Sequence, residues 1–505
     1  MPSRRRGALG QVTKEREMFY DKNYVCARPV RRKLVLSRFK GFDPRQKSAG
    51  LPCDHAESAH GFAFEDGCLI AGPGVRPFKG IKPDLAQVTP PQLPYPQQDC
   101  KLGVYNNDDA EGGLHSIVVM FEDGAALLPV GDFAEWEEVF YMLFDRFDEG
   151  VNILDPQGKP VYVMVSRGAG VMCSYTGDSF ARITSSTKTV TTICKHAERI
   201  FAVMSDDEST LLYSDAFDIY NWDVSLDGGG YITFDRDLGK IRRLVSFADY
   251  LFVFCDYGIY RVNARGDQLS FSVKRLYTAC SRIFPETIAE AGDRLIFTAG
   301  DGIYFFDGYD VTRADVRLNE YLDVSAQGMC AAYCKHKYYL AFRICEGSWT
   351  AGDNNALAVL DVQTRELSLS RGIAVYDMKT LATASQNVVL GVLKGGSVLT
   401  EIAPSLGSCM GVPLEKEWRV SGIDMGAPAD LKVVQSAKCN SQTPFVLGFV
   451  NERGKCVEAQ FSAGECSRRL GIRGKNFTVY IKTEEEEVLI RPVELTVDFF
   501  EGESE

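Results

Sequence analysis

Hydrophobic positions in this chain fall in short unbroken runs that recur about every 44 residues. In the clearest copy the run 251–254 is followed by Asp256, Tyr257 and Gly258, and then by a second run, 259–262. In the next copy the run 295–297 leads to Asp301 and Gly302, and then to 303–306. Leu251, Leu295 and Tyr339 stand 44 residues apart in turn, and looser copies begin near 116, 161, 200 and 388. Runs of four to six residues, rich in β-branched and aromatic types and closed by glycine, predict strands covered on both faces rather than a buried helix. The Asp-Gly at 301–302 and the Asp-Tyr-Gly at 256–258 predict tight hairpins with residues at positive φ. A unit of this length built from short strands is the size of one four-stranded propeller blade. The fold expected is all-β: a β-propeller of about seven blades, within a range of six to eight. Residues 61–70 are either an eighth unit or the strand that closes the ring.

The pattern also divides the chain. Residues 1–27 read as a flexible basic N-terminus, and 28–411 as the propeller, whose first strands (28–75) complete the first or last blade. A proline-rich insert at 76–100 reads as an extended connector over the propeller rim. Within 132–148 apolar residues at 136, 139, 140, 143 and 144, with Asp132 as N-cap, predict a helical insert. From 412 to 505 the strands lengthen and alternate, as at 445–450, 476–482 and 493–499, which predicts a small antiparallel β-sandwich. The acidic run 484–487 reads as a solvated hairpin tip that discourages edge pairing.

Composition changes this picture little, whereas charge placement adds to it. The 505 residues are 45% hydrophobic and 25% charged, with net charge −12. No stretch approaches 18 continuous apolar residues, so no membrane span is expected. The N-terminus has a basic start without an apolar region, so a secretory signal is not expected either. The 15 cysteines then read as reduced thiols, several of them inside apolar runs, such as Cys255 and Cys345. Residues 1–50 hold 14 Lys/Arg and 4 Asp/Glu, a balance of +10, which leaves −22 on the remainder. Such a segment can bind nucleic acid or dock on the acidic face of a neighbouring subunit. The second fits better, because beyond Arg4 to Arg6 the basic residues are spread through strand-like sequence. Arg28, Arg31, Arg32 and Lys33 are the expected subunit contacts.

Catalytic motifs are missing. There is no phosphate-binding loop, no dinucleotide fingerprint, no HExxH and no GxSxG. Cys330, Cys334 and His336 are a cluster of metal-ligand types, but they lie where a blade strand belongs and lack a second ligand pair. Asp54, His55, Glu57 and His60 can also be drawn as a metal group; on a polar loop they fit a surface role better. Ser214 to Trp222 fails the aspartate-box pattern of glycan-cleaving propellers, and Trp222-Asp223 is a lone pair outside any WD repeat. No catalytic, cofactor or metal residue is assigned, and no cofactor is expected.

One long stretch carries a resemblance. Glu198 to Met204, Leu212 to Ala216, Trp222, Ile232 to Phe234, Ile241 to Val245 and Leu251 to Arg261 follow an order of blade strand, Tyr/Ser turn, Trp and next blade strand. Residues 468–481 and 490–497 add closing strands, and 39–43 with 61–67 an opening. Together they resemble the β-propeller virion proteins of tailed bacteriophages, of the tail nozzle (tubular) and packaged-DNA-stabilisation type. The proline-rich insert and the segment 132–148 depart from that pattern. The resemblance implies a non-enzymatic structural subunit of a phage-like virion, made in the bacterial host cytoplasm. Its copies would form an oligomeric ring at the portal–tail axis, with portal, adaptor or other tail proteins as partners. Phage DNA would pass without sequence-specific binding, and an acidic wall would repel its phosphates. Two other readings remain open: a cytosolic propeller scaffold that binds a protein or peptide, and a propeller glycan hydrolase or lyase.

Overall fold

The computed structural model describes residues 29–500 apart from 46–49, 80–91, 94–98, 108–113, 122–123, 130–136, 142–146, 168–169, 177–179, 184–188, 225–227, 327, 345–352 and 383–386. Among these the only helical elements are two single 3-10 turns, Arg236–Leu238 and Gln268–Ser270; all other regular structure is strand. None of it is a helix long and apolar enough to cross a membrane.

Seven groups of four antiparallel strands follow one another. Blade one is Lys101–Asn107, Leu114–Phe121, Gly124–Pro129 and Glu137–Tyr141; blade two is Glu149–Leu154, Pro160–Ser166, Val171–Tyr175 and Phe180–Arg182. Blade three is Val190–His196, Arg199–Met204, Thr210–Tyr213 and Gly230–Thr233; blade four is Ile241–Phe247, Tyr250–Cys255, Gly258–Asn263 and Ser272–Thr278. Blade five is Ile283–Glu290, Leu295–Ala299, Gly302–Phe306 and Val311–Asp315; blade six is Cys330–Cys334, Lys337–Phe342, Ala356–Asp361 and Leu367–Arg371. Blade seven has Val375–Ala382, Asn387–Leu393 and Thr400–Ala403, and takes its fourth strand, Gly74–Pro77, from the N-terminal part of the chain. The first strands of successive blades lie side by side, and that of blade seven lies against that of blade one, so the ring closes. The molecule contains a seven-bladed β-propeller, and the seven hydrophobic recurrences are the second strands of its seven blades.

Packing between blades is aromatic where the sequence repeat is clearest. Phe252 and Phe254 of blade four meet Phe306 and Phe297 of blade five edge-on, with ring centroids 4.9 and 5.7 Å apart, the geometry that the ring quadrupoles favour. All four are fully buried. Gly302 has φ +142°, as expected of its turn, and a Cβ there would stand 2.3 Å from the Asp315 carbonyl oxygen. Gly258 is needed for a different reason: it has no positive φ, but a Cβ would stand 2.4 Å from the Tyr277 carbonyl oxygen.

Three expectations are corrected. The hairpin Phe62–Glu65 and Cys68–Ala71 is neither an eighth blade nor the closing strand; it extends the outer edge of blade six, where Phe62 pairs with Leu369. Closure falls to the next strand, where Gly74–Pro77 pairs with Thr400–Ala403 and Arg76 clamps Glu401 at 3.0 and 2.8 Å. The helix expected over 132–148 is contradicted at its centre, because Glu137–Tyr141 is a strand paired with Gly124–Pro129. Val139, Phe140 and Tyr141 favour strand, and the blade needs a fourth strand to satisfy its third, so tertiary pairing overrides the helical spacing. Finally, Val30–Val35 and Ser58–His60 join the C-terminal sheets and not the propeller. The proline-rich insert lies largely outside the described residues.

Those C-terminal sheets face each other. One contains Ser58–His60, Lys416–Ile423, Phe477–Thr483, Phe445–Asn451 and Cys456–Phe461. The other contains Val30–Val35, Glu494–Phe500, Leu431–Ser441 and Gly464–Gly474. Alternation along Lys416–Ile423 sends Trp418 and Val420 into the shared core, where Trp418 meets Phe39 edge-on at 5.4 Å. The short strand Leu489–Ile490 pairs with both Cys68–Ala71 and Leu431–Ser441. A single hydrogen-bonded sheet therefore runs from blade six into the sandwich.

Candidate functional site

The first strand of each blade lines the axis, and four of these strands are broken at matching places. Register shifts fall between Val190 and Thr192, Ile241 and Arg243, Phe284 and Ala289, and Val375 and Asp377. A bulge kinks a strand and re-aims its side chains. Here Thr192, Arg243, Glu286 and Asp377 stand at or within the bulges and meet Lys101, Glu149 and Arg167 around the axis. Glu149 and Lys101 begin their strands and Arg167 follows the second strand of blade two, so the cluster lies toward the end where first strands start.

Arg167 Nη1 donates to Glu286 Oε1 at 2.6 Å, and Arg243 Nη1 donates to Glu286 Oε2 at 2.8 Å. The same guanidiniums approach Glu149 at 3.5 and 3.7 Å, and Thr192 Oγ1 donates to Glu149 Oε2 at 2.6 Å. Lys101 pairs with Asp377 at 3.4 Å, while the Leu102 N–H donates to the other Asp377 oxygen at 2.8 Å. Arg167 Nε donates to the carbonyl oxygen of Thr191, the bulged residue of blade three. Each blade but the sixth contributes; blade six supplies Cys330 and Ala332, both buried.

The electrostatics are mutual. Burial opposes ionisation of Glu286, but Arg167, Arg243, Lys101 and Lys379 outweigh it and hold its carboxyl well below the usual range. Burial also works against the Lys101 charge, and Asp377 outweighs it to raise that pKa. Lys379 goes the other way: burial and then Arg243 lower its pKa, and Asp377, Glu286 and Glu149 offset this only in part. Glu286, the carboxylate of the cluster whose shift is resolved, is therefore held ionised by cations. The chemistry of the cluster is that of a self-compensated plug.

A cavity of about 720 Å³ opens beside the seam of blade six and the sandwich, with Arg38, Lys40, Phe64, Lys337, Asp361 and Glu366 in its wall. Lys337 pairs with Asp361 at 2.9 Å, and the Gln363 and Thr364 N–H groups donate to the same carboxylate. Burial opposes the Asp361 charge, but these donors and Lys337 prevail and lower its pKa. Burial raises that of Glu366.

Several large exposed apolar residues lie in loops at the opposite end from the axial plug. Phe217, Tyr220 and Val224 lie between the third and fourth strands of blade three, Leu269 in the same loop of blade four, and Tyr309 in that of blade five. Phe217 is 68% and Leu269 78% exposed. The two loops touch: Tyr213 of blade three donates to Gln268 Oε1 at 2.8 Å and packs on Phe271.

Of the expected contact residues, Arg28 lies outside the described residues. Arg31 makes a two-point contact with Asp498, Nε to Oδ1 at 2.7 Å and Nη2 to Oδ2 at 3.0 Å. Arg32 lies over the Phe499 ring at 4.8 Å. Lys33 is exposed. Arg31 and Arg32 thus fasten the N-terminal strand to its own sandwich. Cys330 and Cys334 enter the core between blades six and seven, and Cys334 Sγ donates to Asn387 Oδ1 at 3.2 Å. His60 is not a surface residue: it is 8% exposed, because the seam covers the edge strand that carries it. Sequence reasoning missed the axial plug. The signal available was a polar residue two positions after the opening apolar residue in the inner strands at 190, 241 and 375.

No known protein-family model matches the sequence, and no curated protein matches it. Among solved structures, a crystal structure of BBS1N in complex with ARL6DN, soaked with mercury, is similar at TM-score 0.38 and 11% identity, covering 67% of this chain and 97% of that one. The Pan2 WD40 domain of Neurospora crassa is similar at TM-score 0.38 and 8% identity, covering 60% of this chain and 89% of that one. Neither likeness bears on function.

Proposed function

We propose that this protein is a non-catalytic β-propeller scaffold that works by docking a protein on the rim formed by the third-to-fourth strand loops of blades three to five. The observation that supports this most is the exposure of Phe217, Tyr220, Leu269 and Tyr309 in the loops of that rim. Exposed aromatic and large apolar side chains in one region mark interaction surfaces. The axial plug agrees, since most of its charges pair with one another. The test is site-specific photo-crosslinking from position 217 in cells that make the protein, with Tyr257, on a turn at the other end of blade four, as control. A discrete adduct from 217 alone supports the reading.

A second reading makes the partner another copy of the chain. The sheet shared by blade six and the sandwich gives a unit without a hinge, suited to a closed ring. Under the resemblance to tailed-phage propeller proteins, that ring would be a virion component at the portal–tail axis. Mass photometry separates the two: closed rings of identical subunits favour the virion component, and a monomer that captures a different protein favours the scaffold.

The glycan hydrolase or lyase reading finds one pair of carboxylates with divergent pKa shifts in a cleft, Asp361 and Glu366. Asp361 is already occupied by Lys337 and two backbone N–H groups, so the pair supports it weakly.

A further inference from the structure

We infer that His60, Glu415 and Glu417 bind a divalent transition-metal cation of the zinc class at the seam between blade six and the sandwich. Strand register brings the three together. His60 pairs directly with Glu417 across the antiparallel ladder. Glu415 immediately precedes the strand Lys416–Ile423 and lies beside the same pair. Gly61 closes the approach: at φ +70°, a Cβ there would stand 2.4 Å from the Glu415 carbonyl oxygen. A ring nitrogen of His60 and one carboxylate oxygen from each glutamate lie within 4.8 Å of one another. Ligand bonds of about 2.0–2.2 Å need only a modest side-chain contraction from that spacing.

The second observation is His60 itself. It is 8% exposed, and its Nδ1 is buried with no hydrogen-bond partner. A buried ring nitrogen left unpaired calls for an explanation, of which an ion is one. The neutral imidazole is the form that ligates. Glu415 is exposed and Glu417 partly so, which gives the ion a path in and room for water as a fourth ligand. Lys482 pairs with Glu417 Oε2 at 3.3 Å, and a carboxylate has a second oxygen with which to ligate. One nitrogen and two carboxylates suit zinc and its neighbours better than calcium or magnesium, which prefer all-oxygen shells. The ion would pin the three-residue edge strand Ser58–His60 to the sandwich.

The test uses the full chain freed of metal by chelation, titrated with zinc by calorimetry and with cobalt by absorption. One equivalent per chain, a rise in melting temperature, and a cobalt spectrum without a thiolate charge-transfer band are expected. Glu415→Gln, at an exposed position, is expected to fold normally and to weaken zinc by about tenfold or more; His60→Asn is expected to abolish the site. No saturable binding, a thiolate band, or unchanged affinity in Glu415→Gln would each overturn the assignment.

Discussion

Arg167 of blade two and Glu286 of blade five meet across the axis of the ring, Nη1 to Oε1 at 2.6 Å. In a seven-bladed ring these blades are as far apart as two blades can be, so the bond closes the channel. Arg243 shares the same carboxylate. Removing Glu286 leaves two guanidiniums facing each other with only Glu149 between them. Glu286→Gln is expected to cost about 3–5 kcal/mol, as for one partner of a buried pair, while a combined apolar replacement of Arg243 and Glu286 recovers much of that. Urea denaturation of the two variants checks this.

Acid acts on the fold through His196, which is 2% exposed. Its Nδ1 lies 2.8 Å from Ser246 Oγ and its Nε2 has no partner. Burial, with a contribution from Arg265, lowers its pKa to about 4 from the ordinary 6.5. Between those values the unfolded chain holds the proton and the folded chain does not, so stability is retained above pH 6.5 and falls as pH drops toward 4. The loss is on the order of 3 kcal/mol. His196→Gln is expected to flatten this part of the stability–pH curve, measured as urea midpoints from pH 7.5 to 4.5.

Ring closure depends on Gly74–Pro77, a strand separated by more than 320 residues from its partner strand Thr400–Ala403. Gly74 is packed so closely that a Cβ would stand 2.3 Å from the Leu406 and 2.5 Å from the Ser408 carbonyl oxygens. Gly74→Val is expected to release the strand and expose blade seven. Limited proteolysis should then cut near 74–77 and 400–403 in the variant and spare the native chain.

The basic N-terminal strand separates two roles. Arg31→Glu sets a carboxylate against Asp498, which is buried, and is expected to loosen the strand, seen as faster hydrogen exchange at 30–35. Lys33→Glu is expected to leave that exchange unchanged. If the strand also contacts a neighbouring subunit, Lys33→Glu alters assembly by mass photometry without altering exchange.

Much of the propeller was legible because blade stacking demands apolar second strands, and these are the runs at 251, 295 and 339. What the local sequence could not show was pairing at a distance. The segment 28–75 was legible as completing the first or last blade, but not which of its strands does so, and Glu137–Tyr141 has helical spacing that only the neighbouring strand overrides. The axial cluster was hidden for a related reason. Thr192, Arg243, Glu286 and Asp377 share no residue type, and only the bulges of the folded ring give them a common direction. Arg31 was expected as a subunit contact, and the partner it has in the described structure is Asp498 of the same chain.

The docking rim is tested most directly by a photo-reactive residue at position 217, compared with one at 257, in cells that make the protein. The expected result is a single discrete adduct from 217 and none from 257, reduced when Leu269→Ser is combined with it; the adduct mass tells whether the partner is another copy of this chain or a different protein. No adduct from 217, or equal labelling from both positions, would contradict the scaffold reading.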